Sequence, residues 1–355
     1  MSTFEERKAG FLAVELDGAG YEGIAAAVLA AESAGFHAAT FKDTPEAGRA
    51  NALQRAAFAG PVTRTIAVVP EIDTVYTEPF HVSTQLASLD YVSGGRAGWI
   101  ATAAVSPEAA AAVGRSFVEG DALAQEAAAS IEVGRRLWDS WEDDAVIRDV
   151  ATGRYIDVDK LHYADFETPA DFSGAAYSVK GPSIIPRPLQ GQLPVLAAAS
   201  LVGEGLVPSD AVDAVLVSAP TPELLAAEVR DARARLGSSV AIVAELDVVL
   251  DARGQSAATR QVPSPESGLA RFVGSAAGLT ELLDSLLSEA DGVRLHPAVL
   301  DVELEELSRL VLPELRRRGA LRLPVQDGTF RDVLGLVPAE NRYSTTAAAP
   351  LAAGK

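Results

Sequence analysis

The chain of 355 residues carries 30 Lys and Arg against 49 Asp and Glu, a formal net charge of −19, with 48% hydrophobic residues and no cysteine. That balance excludes a binder of nucleic-acid backbones, which needs clustered cations, and the missing cysteines exclude disulfides, thiol nucleophiles and thiolate metal sites. No apolar run is long enough to span a bilayer, and Met1 to Lys8 lacks the apolar core of a signal peptide, so the expectation is a cytoplasmic globular protein with a large core.

In chain order, Gly10 to Leu16 reads as a buried parallel strand and Tyr21 to Ala34 as a helix, with Ile24, Val28, Leu29 and Ala31 at helical spacing and Gly35 as its stop. Phe36 to Phe41 predicts strand two, ending at Asp43, and Pro45 to Phe58 helix two. Thr65 to Val69 is strand three. Helix three starts near Pro79, whose missing N–H costs nothing in a first turn, and stops at Gly94-Gly95, where φ > 0 is needed. Ala97 to Ala103 is strand four, and Pro107 to Trp141 is helical with a break near Glu119-Gly120-Asp121. The character then changes: residues 142–192 are rich in Asp, Tyr, Pro and Gly, with β-like pieces at Ala176 to Val179 and Ser183 to Ile185. A loop of that length inside a domain is usually functional.

Alternation then resumes. Strand five is Pro194 to Ala199 and strand six Ala214 to Ser218; Thr221 caps a helix that runs to Leu236. Strand seven is Ser239 to Leu250, a helix covers Leu279 to Ala290, strand eight is Gly292 to His296, and the last helix is Glu303 to Arg318. Eight strands alternating with helices predict an α/β fold, a closed (β/α)₈ TIM barrel, with the 142–192 insertion between helix four and strand five. Residues 1–344 read as one domain, and 345–355, without periodicity, as a disordered tail.

Few motifs carry chemistry of their own. Gly18-Ala19-Gly20-Tyr21-Glu22-Gly23 is a literal G-x-G-x-x-G between a strand and a helix, with Asp43 about twenty residues on, the spacing of a ribose-binding acid. Dinucleotide binding is therefore one reading; against it, the alternation runs through eight units, and the glycines would also serve a plain βα turn. His37, His81, His162 and His296 show no metal-ligand spacing, although His296 ends strand eight, where barrel sites collect. Glu142-Asp143-Asp144 and Asp157-Asp159 lack the glycine-centred loop of a cation site and read as solvated surface, so no metal is expected. There is no G-x-S-x-G elbow, which leaves the chemistry to a cofactor.

Several colinear stretches carry a resemblance. They are Tyr76 to Trp99, ending Ser-Gly-Gly-Arg-Ala-Gly-Trp; Leu137-Trp138-Asp139-Ser140-Trp141-Glu142-Asp143-Asp144-Ala145; Gly153 to Asp157; and Asp159 to His162. Val179-Lys180-Gly181-Pro182, Pro186-Arg187-Pro188-Leu189-Gln190-Gly191, Phe272-Val273-Gly274, Val311 to Gly319 and Asn341-Arg342-Tyr343 follow in order. Together they resemble the luciferase-like flavin monooxygenases, in the branch that contains nitrilotriacetate monooxygenase. The resemblance implies a TIM barrel that binds reduced FMN (FMNH₂) at the C-terminal ends of its strands and oxygenates a small organic substrate with O₂. It also implies a separate NAD(P)H-dependent flavin reductase as partner and a homo-oligomeric state.

The resemblance places flavin contacts at Asp43, which matches the acid ending strand two, and at Asp73, where the family has a small hydroxyl residue. It places others at Thr102 and Ala103 after the Gly-Trp of strand four, and at Ser200 and Leu201, which stand for the family's Gly-Ser-Ser phosphate loop. The family's His-x-x-Arg-Tyr element falls near Gly120, Leu123 and Ala124 and is not kept. No residue is assigned a catalytic role. These departures open an alternative of a different class, a non-catalytic paralogue or partner subunit with a degraded flavin site.

Overall fold

In the computed structural model, which describes residues 9–17, 21–43, 50–203, 206–262 and 268–344, eight parallel strands close on themselves. They are β1 (Phe11–Glu15), β2 (Ala38–Phe41), β3 (Ala67–Asp73), β4 (Trp99–Thr102), β5 (Val195–Ala198), β6 (Ala214–Val217), β7 (Ala241–Leu250) and β8 (Gly292–Pro297). Each pairs with the next in that order, and β8 returns to β1, with Phe11 opposite Gly292 and Ala13 opposite Arg294. The barrel expectation is thereby met, and the open doubly wound sheet behind the dinucleotide reading falls. Gly18 to Gly20 of that motif, the start of the expected helix two and the 345–355 tail lie outside the described residues.

Around the barrel run α1 (Ile24–Ala34), α2 (Ala52–Ala59), α3 (Pro79–Ser93), α4 (Pro107–Ala112), α5 (Asp121–Asp139), α6 (Pro222–Leu236), α7 (Ala276–Leu286), α8 (Leu300–Glu306), α9 (Leu312–Arg317) and α10 (Phe330–Leu334). Local chemistry sets their ends as read. Glu78 accepts the N–H groups of Phe80 and His81 at the start of α3, with Pro79 in the first turn; Gly94 ends the helix at φ 70°. Thr221 accepts the Leu224 N–H at the start of α6. The expected final helix is divided: a π turn at Leu307–Val311 separates α8 from α9.

The strands read as continuous apolar runs because both faces are covered, but the two faces differ. Outward residues such as Leu12, Val14, Val68 and Val215 form the main core against the helices. Inward residues Phe11, Ala13, Ala38, Val69, Ile100, Leu196, Leu216 and Val243 pack with Phe330 and Leu334 of α10, which plugs the N-terminal end. Glycines make room for these rings: a Cβ at Gly98 would lie 2.5 Å from Phe330 Cε1 of the plug, and one at Gly292 would lie 2.5 Å from Phe11 Cε1 of β1. With a side-chain period of two, the next inward positions toward the C-terminal end are Glu15, Thr40, Glu71, Thr102, Glu245 and Arg294. The barrel is therefore apolar at the bottom and charged at the top.

One strand of the barrel sheet escaped the sequence reading, and of the two β-like pieces expected in the insertion Ala176 to Val179 is met by the strand Ser178–Val179. A short strand, Ala270–Gly274, pairs with the C-terminal half of β7 (Leu246 opposite Ala270), beyond the point where β6 leaves off at Ala244. The insertion holds two small antiparallel pairs, Val146–Asp149 with Arg154–Ile156 and Phe166–Glu167 with Ser178–Val179; Ser183 to Ile185, expected as β-like, is not a strand.

Candidate functional site at the C-terminal mouth of the barrel

A cavity of about 540 Å³ opens where the strands end. That size falls in the range of small-molecule and cofactor sites. Ile100, Ala101, Ala103, Leu123, Leu201 and Leu216 give it apolar walls, Thr102, Ser200 and Ser218 bring hydroxyls, and Lys42, Glu71, Glu245, Arg294 and His296 supply charge and polarity. A larger cleft of about 680 Å³ lies outside the barrel beside α5; its Arg135, Arg136 and Arg342 all pair with carboxylates, and it contains none of the barrel-mouth residues.

The floor of the mouth cavity is organised by Arg294, 2% exposed. Its Nη2 donates to Glu71 Oε1 at 2.6 Å and also to Glu15; Nη1 donates to Glu245 Oε1 at 3.0 Å, and Nε to Thr40 Oγ1 at 2.9 Å. Three carboxylates thus share one guanidinium. Glu15 is the best satisfied of them, also accepting the Thr40 hydroxyl at 2.9 Å and the Lys42 N–H at 3.2 Å. Glu245 is 3.2 Å from His296 Nε2. Among the described residues, the hydrogen bond of the Glu71 side chain is to Arg294.

These environments separate the two cavity-facing acids. Burial raises Glu71 above the usual carboxylate range; Arg294 opposes this, and Glu15 and Glu245 add to it. Burial acts on Glu245 in the same sense but is outweighed by the bond to His296 and the charge of Arg294, so Glu245 is lowered. Arg294, despite burial, is raised by Glu71, Glu15 and Glu245 and stays charged.

Thr102, Ala103, Ser200 and Leu201 are brought together on the cavity wall, with Gly120, Leu123 and Ala124 beside them, the positions of the unkept His-x-x-Arg-Tyr element. The Ser200 turn is held from outside, Arg235 of α6 donating to the Val202 carbonyl at 2.7 Å. Asp73 is not in the lining. Its Oδ1 accepts the Ala104 N–H at 2.7 Å and its Oδ2 the Tyr76 N–H at 2.6 Å, so it ties the loops after β3 and β4 together. Asp43 is exposed after β2, also away from the lining. His296 does reach the cavity.

Glu15, Glu71, Glu245 and Arg294 were missed. Their signal was present: a charged residue inside a largely apolar parallel strand is expensive to bury and marks either a paired group or a site. In the first acidic cluster Asp143 pairs with Arg187 and Asp144 with Lys160, and Glu142 lies 2.8 Å from His162 Nε2. Among the described residues no group of three His, Asp or Glu is placed to hold a metal ion, and no helix is long and apolar enough to cross a membrane.

The stretches that carry the resemblance mostly lie away from the cavity and hold the insertion on the barrel. Trp138 Nε1 donates to the Ser83 carbonyl at 3.2 Å and Trp141 Nε1 to that of Ser183 at 2.8 Å. Arg187 reaches Asp139 at 2.9 Å, and Asn341 Nδ2 donates to the carbonyls of Asp139 and Trp141 at 3.0 and 2.8 Å.

Comparison with known proteins agrees with this geometry. Residues 9–312 match the family model of luciferase-like monooxygenases. N-acetyl-S-(2-succino)cysteine monooxygenase of Bacillus subtilis is 39% identical over 145 residues, 41% of this chain and 31% of that protein. Nitrilotriacetate monooxygenase component A of Aminobacter aminovorans is 27% identical over 359 residues, 79% of this chain and 77% of that protein. A solved long-chain alkane monooxygenase superposes with a TM-score of 0.77 at 19% identity, over 93% of this chain and 96% of that one, a likeness of fold. The chain belongs to the luciferase-like monooxygenase family and is an oxidoreductase of that kind, its barrel mouth standing where the strands of a TIM barrel present their active site.

Proposed function

We propose that this enzyme uses FMNH₂ and O₂ to oxygenate a small organic substrate, the FMNH₂ coming from a separate NAD(P)H-dependent reductase. The observation that carries the reading is the lining of the mouth cavity in a chain of this family: apolar walls with a few hydroxyls and no nucleophile motif. The walls suit the flat faces of an isoalloxazine ring, and Thr102, Ala103, Ser200 and Leu201 are the residues that would hold it, Ser200 toward the phosphate end. Asp73 would act from behind, shaping the loop that follows Thr102. When bound, the reduced flavin supplies the electrons that activate O₂. The chain's own part is to bind, to exclude water with its apolar wall and to manage charge at the floor. The Aminobacter relative is named as a component A, which supports a second protein as the source of reduced flavin. A non-catalytic paralogue has less support, because the cavity stays open at Gly120, Leu123 and Ala124 and keeps its hydroxyls.

The test is a titration of the purified protein with FMN and with FMNH₂ under anaerobic conditions, followed by flavin fluorescence. Saturable binding, tighter for the reduced form, is expected. No binding at high micromolar flavin overturns the reading, and NADH binding without flavin would favour a nicotinamide enzyme instead.

A further inference from the structure

We propose that Glu71 is the general acid at the floor of the mouth cavity, that Glu245 with His296 is its basic counterpart, and that Arg294 is the positioning residue that holds both. Glu15, Glu71 and Glu245 surround one guanidinium inside the barrel, and three carboxylates cannot all remain ionised there on a single counter-ion at low cost. A proton must be kept, and the hydrogen bonds say where. Glu15 accepts hydrogen bonds from Thr40, the Lys42 N–H and Arg294, and Glu245 accepts from Arg294 and lies 3.2 Å from His296 Nε2. Among the described residues, Glu71 has Arg294 alone. It also lines the cavity, as Glu245, Arg294 and His296 do, whereas Glu15 does not.

The guanidinium of Arg294 is the cation in contact with all three carboxylates. Lys42 lines the cavity from the segment after β2, and on β7 Asp247 is matched by Arg271 at 2.6 Å. Burial raises Glu71 and the His296 and Arg294 contacts lower Glu245, so two carboxyls facing one cavity are driven apart, the pattern that separates an acid from a base.

The role rests on the monooxygenase reading above. FMNH₂, O₂ and substrate give FMN, oxygenated substrate and water, and the oxygen atom that leaves as water must take up protons. Of the two protons that oxygen takes up, matched by the two that FMNH₂ gives up in becoming FMN, Glu71 supplies one as its O–H bond breaks and the electron pair stays on a carboxylate that Arg294 already holds, and solvent in the mouth exchanges the other. Solvent entering the mouth returns the proton.

The test is infrared spectroscopy of the flavin-free protein grown with heavy-carbon-labelled glutamate, so that aspartic acids do not contribute. A protonated glutamic acid band at neutral pH that is lost in E71Q is expected. E126Q, which removes another glutamate raised by burial, must leave that band in place. E71Q is further expected to bind flavin as the wild type does while kcat falls about 100-fold. If E71Q does not fold, E71D serves, since its carboxyl leaves the labelled set. No labelled acid band in the wild type, a band that survives E71Q or E71D, or wild-type turnover in E71Q overturns the proposal. A wild type that binds no flavin fails the preceding reading instead, in its own titration, and the infrared result still decides the protonation of Glu71.

Discussion

Gln190 Nε2 donates to Asp90 Oδ1 at 2.7 Å deep inside the protein, and the Gln190 N–H donates to Oδ2 of the same carboxylate at 3.1 Å. The glutamine also donates to the Ala97 carbonyl at 2.8 Å and accepts the Arg331 N–H at 3.0 Å. One side chain thus ties α3, the end of the insertion, the lead into β4 and the α10 plug. Q190A leaves the Asp90 carboxylate, 0% exposed, short of a partner. We expect a loss of about 3 kcal/mol in unfolding free energy, read by urea titration, because a stranded buried group keeps its full desolvation cost.

The insertion depends on Arg187 in the same way. It donates to Asp139 at 2.9 and 3.1 Å, to Asp143 at 2.7 Å and to the Ala339 carbonyl at 3.1 Å. R187A is expected to cost about 3–5 kcal/mol, since it leaves Asp139 buried beside Arg342 at 3.4 Å as its remaining cation. R187K should recover little of this, a lysine having no planar fork to span two acids. Limited proteolysis should show the 142–192 segment of R187A cut first.

His37 predicts a pH dependence. Its Nδ1 accepts the Leu12 N–H at 3.1 Å and its Nε2 lies 2.9 Å from the Arg322 carbonyl, so the neutral ring protonated on Nε2 fits both. Burial, opposed by the Arg322 carbonyl and aided by the charges of Arg316 and Arg322, holds it at about 4 against an ordinary value of 6.5. The folded value lies below the unfolded one, so this contribution is present above pH 6.5 and is lost as pH falls toward 4. H37Q can make both bonds without titrating. Its stability should fall by about 3 kcal/mol less than that of the wild type across that window, measured by denaturant titration at several pH values.

The cavity hydroxyls give a prediction for ligand affinity. T102A and S200A should each weaken flavin binding about 10-fold in the anaerobic titration, the effect of about one lost hydrogen bond, without changing the melting temperature. A103S, which adds a hydroxyl to the same wall, should not weaken it.

The strand and helix alternation, and therefore the barrel, was legible because it rests on local periodicity and end signals: Pro79, Gly94 and Thr221 act on their own neighbours and do so as read. The family was legible too, through stretches such as Trp138 to Trp141 and Arg187 to Gln190, whose side chains tie the insertion and the helices beside it together. The Ala270–Gly274 strand was not legible, because it exists only where β7 outruns β6 and offers a free edge. The charged floor was decided by closure alone. Glu15 and Arg294 are 279 residues apart, and only the return of β8 to β1 puts them in one buried cluster with Glu71 and Glu245. Long-range register, which no local pattern encodes, is what brought four charges from four separate strands into one site.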